Sequence, residues 1–382
     1  MEVLFWFCTF LVVYAYIGYP MCLKLLSKVP NKILKNDQHL PSVSILIAAY
    51  NEEKDIANTL QNKIELDYPK DKLEILVVSD ESEDRTDEIV KQFAEKTPIN
   101  VRLIRQSPRA GKTSGLNLLV PEAIGEILVF SDANSIYEER ALKSLVRNFN
   151  DPAVGYVTGK MVYAHKDGSL VGDGCSSYMK YENWLRERET RIGSIVGVDG
   201  GIDAMRKDLY EPLRADQLPD FVQPLKVVEK GRRVVYESNA LLREVALEEP
   251  GREYTMRVRV SLRALWAMHD MRTLLNPFKF GKFSIQLISH KLLRYLAFIP
   301  LLLCLVTNLA LLPESPVYLL TILAQVVFYS FAWLGMLNQG REDSPVYFTL
   351  PYYFSLLNIA CAHATFRYLK GEKQVIWKPR AG

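Results

Sequence analysis

Ile127-Leu128-Val129-Phe130-Ser131-Asp132-Ala133-Asn134 is an apolar run that empties into a carboxylate and a carboxamide two residues apart. The apolar half reads as a buried strand. Hard oxygen donors at its carboxyl end suit a hydrated divalent cation, Mg²⁺ or Mn²⁺. In an open α/β sheet that end is also where ligands gather. Asn134 has a second reading, as the N-cap of a helix over Tyr137–Phe149, and the two roles are compatible.

Working outward, residues 40 to about 240 alternate between strand-like and helix-like stretches. Val43 to Ala49, Leu73 to Val78, Val101 to Arg105 and Glu126 to Phe130 are short apolar runs. Between them, Glu53 to Leu66, Thr86 to Lys96 and Lys112 to Val120 carry helical spacing. This order predicts an α/β fold: a mostly parallel sheet with helices on both faces.

The flanks are different. Val3 to Leu23, Tyr295 to Leu312, Val317 to Leu337 and Val346 to Phe366 are almost uncharged. Each approaches or exceeds the ~20 residues a helix needs to cross a bilayer. The first lacks a basic start and is followed by Lys24, Lys28, Lys32 and Lys35, which reads as a retained anchor with the next domain in the cytoplasm. Tyr254 to Leu274 is basic and amphipathic, and Asn276 to Leu293 mixes Phe278, Phe280 and Phe283 with Lys279, Lys282 and Lys291. That mixture suits a helix lying in the membrane interface. Four crossings would return both termini to one side, whereas Arg367, Lys370, Lys373, Lys378 and Arg380 argue for a cytoplasmic tail. A net charge of +3 gives no footing for nucleic acid, and the five cysteines show no metal-ligand spacing.

Polar motifs stand at the ends of the expected strands. Tyr50-Asn51-Glu52 follows the first, and Ser79-Asp80-Glu81-Ser82 follows the second. Acidic turns on adjacent parallel strands can grip a nucleoside through ribose hydroxyls and base N–H groups, although the same residues are ordinary in loops and caps. Gly111-Lys112-Thr113 lacks the preceding glycine of a phosphate-binding loop, yet Lys112 at a helix start can meet a phosphate. Asp220 lies in Leu218-Pro219-Asp220-Phe221, where apolar neighbours favour a general base and a helix start favours a cap. Arg259, Arg263 and Trp266 fall at i, i+4 and i+7 and offer two guanidinium groups beside an indole, as a diphosphate or lipid head groups would require.

Taken in order, these motifs resemble a membrane-embedded family 2 glycosyltransferase, the family of the cellulose, hyaluronan and chitooligosaccharide synthases. The resemblance implies a GT-A-like sheet over 27–250, a transmembrane helix at 1–26, basic and interfacial helices at 251–293, transmembrane helices over 294–366, and a basic tail at 367–382. It implies donor contacts from Tyr50, Asn51, Glu52, Asp80, Lys112, Asp132, Arg259, Arg263 and Trp266. Asp132 and Asn134 would hold Mn²⁺ or Mg²⁺, Asp199, Gly200 and Gly201 would meet the acceptor, and Asp220 would be the catalytic base. The expected partners are a nucleotide sugar, such as a UDP-sugar, and a glycan or lipid-linked acceptor at a bacterial inner membrane, with the catalytic domain cytoplasmic. Three departures stand out: Asn134 replaces an aspartate, Leu218-Pro219-Asp220 replaces Thr-Glu-Asp, and Arg263-Ala264-Leu265-Trp266 separates a normally adjacent arginine and tryptophan. They leave room for a non-processive transferase acting on a polyprenyl phosphate or glycolipid, or for a membrane scaffold without activity.

Overall fold

The computed structural model describes residues 1–164, 173–245, 250–338 and 345–374. They form two compact units, one drawn from Val29–Val171 and Glu182–Ala246, the other from Met1–Lys28, Gly172–Tyr181 and Leu247–Lys373.

The first unit is α/β. Its strands are β1 (Val43–Ala49), β2 (Leu73–Ser79), β3 (Asn100–Arg105), β4 (Ile127–Asp132), β5 (Ile136–Tyr137), β6 (Val154–Ala164), β7 (Ile202–Arg206) and β8 (Arg233–Val245). They join in one sheet ordered β3-β2-β1-β4-β7-β6-β8-β5. Every residue of β1 and β2 is buried, as befits parallel strands covered on both faces. Helices Ile56–Glu65, Thr86–Lys96 and Lys112–Glu122 make the crossovers. The third lies so close to β2 that a Cβ at Gly115 would stand 2.8 Å from Val78 Cγ1. Register then places the site: Ala49 pairs with Ser79, and Ala48 with Asp132, so the loops after β1, β2 and β4 open side by side. The chain reverses direction across the sheet between β1 and β4, where such sheets bind ligands.

The expected α/β sheet is present and parallel from β3 through β4, and its second half adds antiparallel pairings: β7 runs antiparallel to both β4 and β6, and β5 antiparallel to β8. The helix expected over Tyr137–Phe149 starts only at Ala141, and Ile136–Tyr137 is a strand paired with Arg243 and Leu242. Tertiary contacts override local preference here: the buried Tyr137 hydroxyl lies 3.0 Å from the carbonyls of Phe130 and Gly201. Asn134 therefore caps no helix at that point.

The second unit is helical. Glu2–Leu26 and Pro316–Leu337 are long and apolar enough to cross a membrane, while Lys282–Tyr295 and Phe298–Leu311 form a pair bent by 59°. The expected crossing at Tyr295 to Leu312 thus belongs to a broken helix. The one expected at Val346 to Phe366 is a helix, Val346–Leu369, that is not among the described helices apolar enough to cross. Its polar residues face Pro250–Asp270 instead: Tyr353 donates to Glu253 (3.3 Å), Tyr254 meets His363 (3.0 Å) and His269 meets Tyr368 (2.7 Å). The expected interfacial helix over Asn276–Leu293 breaks at Gly281, whose φ of 53° no helix continues. Within the expected basic tail, Arg367 pairs with Glu372 at 2.7 Å, and Lys378 and Arg380 lie outside the described residues.

One buried acid sits in the sheet itself. Asp203 on β7 is 1% exposed and accepts a hydrogen bond from Tyr156 on β6 at 2.9 Å. Burial pushes its carboxyl up to about 7, helped by repulsion from Asp220 and Asp199 and opposed by the Thr158 and Tyr156 hydroxyls. An acid whose folded value exceeds its unfolded value stabilises the fold while protonated. That contribution is full below about pH 4 and is lost as pH rises through about 7. Asp203→Asn keeps an acceptor for Tyr156 and removes the titration. The variant should gain stability over the wild type between pH 4 and 7, by up to about 4 kcal/mol, in paired thermal melts across that range. Parallel pH profiles would contradict this account of Asp203.

Candidate active site

The loops after β1 and β2 are laced together before any ligand is considered. Asn51 N–H donates to Ser82 Oγ (3.1 Å), Glu52 N–H to Thr86 Oγ1 (2.8 Å) and Glu53 N–H to Asp84 (3.0 Å). In return, Glu83 N–H donates to Asn51 Oδ1 (2.8 Å) and Arg85 N–H to Glu53 (3.2 Å). Asn51 and Glu81 hold φ values of 55° and 60°, uncommon for residues with a side chain. Such strain persists where surrounding bonds over-determine the backbone, as they do here.

Asp80, expected to face a nucleoside, is 4% exposed and holds the 106–111 loop. Its carboxylate accepts from Ala110 N–H (2.9 Å), Gly111 N–H (3.1 Å), Arg109 Nε (3.3 Å) and the Gln106 amide. Arg109 in turn lies 3.4 Å over the Tyr50 ring. Glu81 accepts from Ser107 (2.7 Å) and Arg109 N–H (2.9 Å), and these bonds hold its carboxyl below the usual carboxylate range. Two N–H groups leading into helix Lys112–Glu122 are therefore engaged by Asp80, so Lys112 acts through its ammonium more than through the helix end.

That ammonium is the centre of the site. Lys112 Nζ lies 2.7 Å from Asp132 Oδ1 and 3.8 Å from Asp220 Oδ1, with 22% of the side chain exposed. Burial alone would lower its pKa, but Asp132, Asp220 and, more weakly, Asp203 outweigh this and raise it. Lys112 is charged throughout the physiological range. The helix that carries it also holds the segment leading to Asp220. Thr113 donates to the Gln217 carbonyl (2.9 Å) and Asn117 to that of Leu213 (2.7 Å), while Tyr210 donates to Asn117 (2.8 Å). Asp220 itself opens helix Pro219–Glu229, where the helix dipole favours a carboxylate.

Gly200, at φ 89°, backs directly onto this acid: a Cβ there would stand 2.6 Å from Asp220 Oδ2. A Cβ at Gly201 would meet Leu242 at 2.6 Å and lie 3.6 Å from Ser135 Oγ, just beyond the Asp132–Asn134 turn. The glycine pair thus runs between the acid and the turn. Asp199 does otherwise. It forms a buried ion pair with Arg186 at 2.6 Å, with the two side chains 5% and 7% exposed, which suits holding the loop. Arg259, Arg263 and Trp266 belong to the helical unit, where the Trp266 indole donates to the Glu372 carbonyl at 2.8 Å.

The structure brings Lys112, Asp132, Asp220 and Gly200 together. Sequence reasoning missed Asp203, Arg186 and the polar face of helix Ile56–Glu65, none of which carries a motif. As a cation site, Asp132 offers one oxygen beside Lys112 and a side chain 43% exposed. No group of three or more acidic, histidine or cysteine side chains could hold a metal among the described residues. Such a donor set fits a hard cation that draws its other ligands from a diphosphate and water.

Residues 44–213 match the family model described as Glycosyl transferase family 2, a segment that ends before Asp220. The probable glycosyltransferase YdaM of Bacillus subtilis (strain 168) is 43% identical over 129 residues, 33% of this chain and 31% of that protein. Beta-monoglucosyldiacylglycerol synthase of Trichormus variabilis is 31% identical over 174 residues, 45% of this chain and 37% of that protein. Poly-beta-1,6-N-acetyl-D-glucosamine synthase of Staphylococcus aureus (strain COL) is 26% identical over 248 residues, 64% of this chain and 58% of that protein. The chain thus spans about a third of the first two relatives and less than two thirds of the third. A solved mannosyltransferase from Pyrobaculum calidifontis, PcManGT in complex with GDP-Man and Mn²⁺, shares the fold, with a TM-score of 0.75 and 22% identity over 97% of this chain and 99% of that one. The mixed α/β sheet is GT-A-like, and it is residues 44–213 within it that resemble glycosyl transferase family 2.

Proposed function

We propose that this chain is an inverting glycosyltransferase that moves a sugar from a nucleotide-sugar donor to an acceptor hydroxyl. The observation that carries this reading is one ammonium, Lys112 Nζ, placed 2.7 Å from Asp132 and 3.8 Å from Asp220. A donor's diphosphate bound at Lys112 would have its sugar beside Asp220. Asp220 then accepts the proton of the acceptor hydroxyl as that oxygen forms its bond to the anomeric carbon, and the bond to the diphosphate oxygen breaks on the opposite face. Lys112 stabilises the charge that collects on the departing nucleoside diphosphate. Mn²⁺ or Mg²⁺, held by Asp132 with help from Asn134, would add Lewis-acid stabilisation of that same charge. Tyr50, Asn51 and Glu52, with Asp80 beneath them, form the wall for the nucleoside. Arg259, Arg263 and Trp266 are the proposed further contacts to the diphosphate, and Gly200 and Gly201 line the acceptor side, on a loop braced by Asp199.

The relatives' names span a glycolipid and a polysaccharide product. A hydroxyl of a glycolipid or growing glycan is accordingly the proposed acceptor. The separation of Arg263 from Trp266 favours single addition over long polymers. The apolar helices Glu2–Leu26 and Pro316–Leu337 support attachment to a bilayer. Residues 27–250 are the proposed catalytic body and 251–293 the basic and interfacial segments, and Lys24, Lys28, Lys32 and Lys35 after the first helix favour a cytoplasmic site.

The direct test is a screen of UDP-, GDP- and dTDP-sugars for diphosphate release with Mn²⁺ or Mg²⁺ in detergent or lipid. Absence of both binding and release across the panel would return the chain to the scaffold reading. In the active pair, Asp220→Asn should lower kcat about 10²–10⁴-fold with donor affinity little changed. Near wild-type turnover would remove Asp220 from the base role. Gly200→Ala, which drives a methyl group into the Asp220 carboxylate, should cost on the order of 10²-fold in kcat with a smaller effect on donor affinity. An unchanged kcat would show that this contact does not set the acid. Alkaline washing of membranes should leave the chain in the pellet until detergent is added; recovery in the wash would argue against spanning helices.

A further inference from the structure

Helix Ile56–Glu65 carries a polar face that the proposed chemistry does not use. Thr59 Oγ1 donates to the Ala133 carbonyl at 2.6 Å. Lys63 Nζ donates to the Ser135 carbonyl at 2.6 Å. Asn62 exchanges two bonds with Tyr137, its amide donating to the carbonyl (2.9 Å) and its oxygen accepting from the N–H (2.8 Å). Residues 59, 62 and 63 are spaced i, i+3 and i+4, so one helical face reaches every second residue of the turn from Ala133 to Tyr137. Asp132 opens that turn and Asn134 lies within it.

Lys63 is the unexpected member. It is 0% exposed, and its ammonium also meets Asn62 Oδ1 (3.0 Å) and the Tyr137 ring (3.6 Å). Those contacts are neutral, and a buried ammonium with neutral partners is costly. Burial drives its pKa well below the ordinary lysine value, with Asp132 acting in the opposite direction. An apolar side chain would fill the same space without that cost, so packing does not account for a lysine. What the lysine adds is a donor on the Ser135 carbonyl, inside the turn that Asp132 opens.

We infer that Thr59, Asn62 and Lys63 form a clamp that fixes the Asp132–Tyr137 turn, and that Lys63 is a positioning residue for the cation and diphosphate held there. The inference rests on the transferase reading for its functional half; the clamp itself does not need it. Partners of this kind behind a ligating group typically shift metal affinity by about 10–100-fold.

The test compares full-length wild type with Lys63→Met and Thr59→Val by three readouts. Hydrogen exchange of the backbone over residues 132–138 reads the clamp without any substrate. Mn²⁺ binding with a nucleoside diphosphate such as UDP present, followed by electron paramagnetic resonance, reads the site apart from turnover. The Mn²⁺ dependence of diphosphate release separates half-saturation from kcat. Both variants should exchange faster over 132–138 and require about 10-fold more Mn²⁺, with kcat at saturating Mn²⁺ retained within a few-fold. Lys63→Met should melt no lower than wild type, because it replaces a buried polar group with an apolar one of similar length. A variant that melts lower yet exchanges and binds Mn²⁺ as wild type does would make the lysine merely structural and overturn the inference. If Lys63→Met does not fold, Thr59→Val decides by the same readouts. A wild-type chain that neither binds nor cleaves any nucleotide sugar refutes the transferase reading, while the exchange data still decide the clamp.

Discussion

A single ammonium holds two carboxylates that would otherwise repel each other. Without Lys112, Asp132 and Asp220 would face one another across a half-buried cleft, where like charges are poorly screened. With it, the end of β4 and the start of helix Pro219–Glu229 can share one site, although 88 residues of sequence (220 − 132) separate the two acids. The rest of the α/β unit serves that arrangement. Asp80 fixes the loop from which Lys112 departs, and Asn117 and Thr113 fix the segment that delivers Asp220.

The same arrangement gives the change from aspartate to Asn134 a physical meaning. A carboxamide brings no charge, so Asp132 is the turn's own anion, and it already has the Lys112 ammonium in contact. Such a site has little surplus negative charge with which to hold a bare divalent ion. A cation arriving with a diphosphate brings its own anionic ligands, which suits an ordered entry of metal and donor together.

Much of the first half of the sheet was legible because buried parallel strands are nearly continuous apolar runs. β1 and β2 could be read almost to the residue, and the crossovers between them carried clear helical spacing. β5 to β8 were not legible. Their polarity is mixed, and Ile136–Tyr137 is a strand only because Tyr137 reaches two distant carbonyls. At the site, motif order pointed to Lys112, Asp132 and Asp220, since each follows a strand or opens a helix. Thr59, Asn62 and Lys63 look like the solvated side of an amphipathic helix until the turn they hold is seen. Asp203 hides in the same way, a lone acid in an apolar strand. Asp80 shows the opposite case, a residue whose type suggested a ligand contact and whose first partners are backbone amides.

The lacing between the loops after β1 and β2 bears on how such proteins diversify. Backbone donors of each loop are satisfied by side chains of the other: Asn51 by Ser82, Glu83 by Asn51, Glu53 by Asp84 and Arg85 by Glu53. Grafting either loop alone from a cousin with another nucleotide preference would strand amides on its neighbour. The pair therefore behaves as one cassette, and a lineage that retunes its donor has to exchange both halves at once.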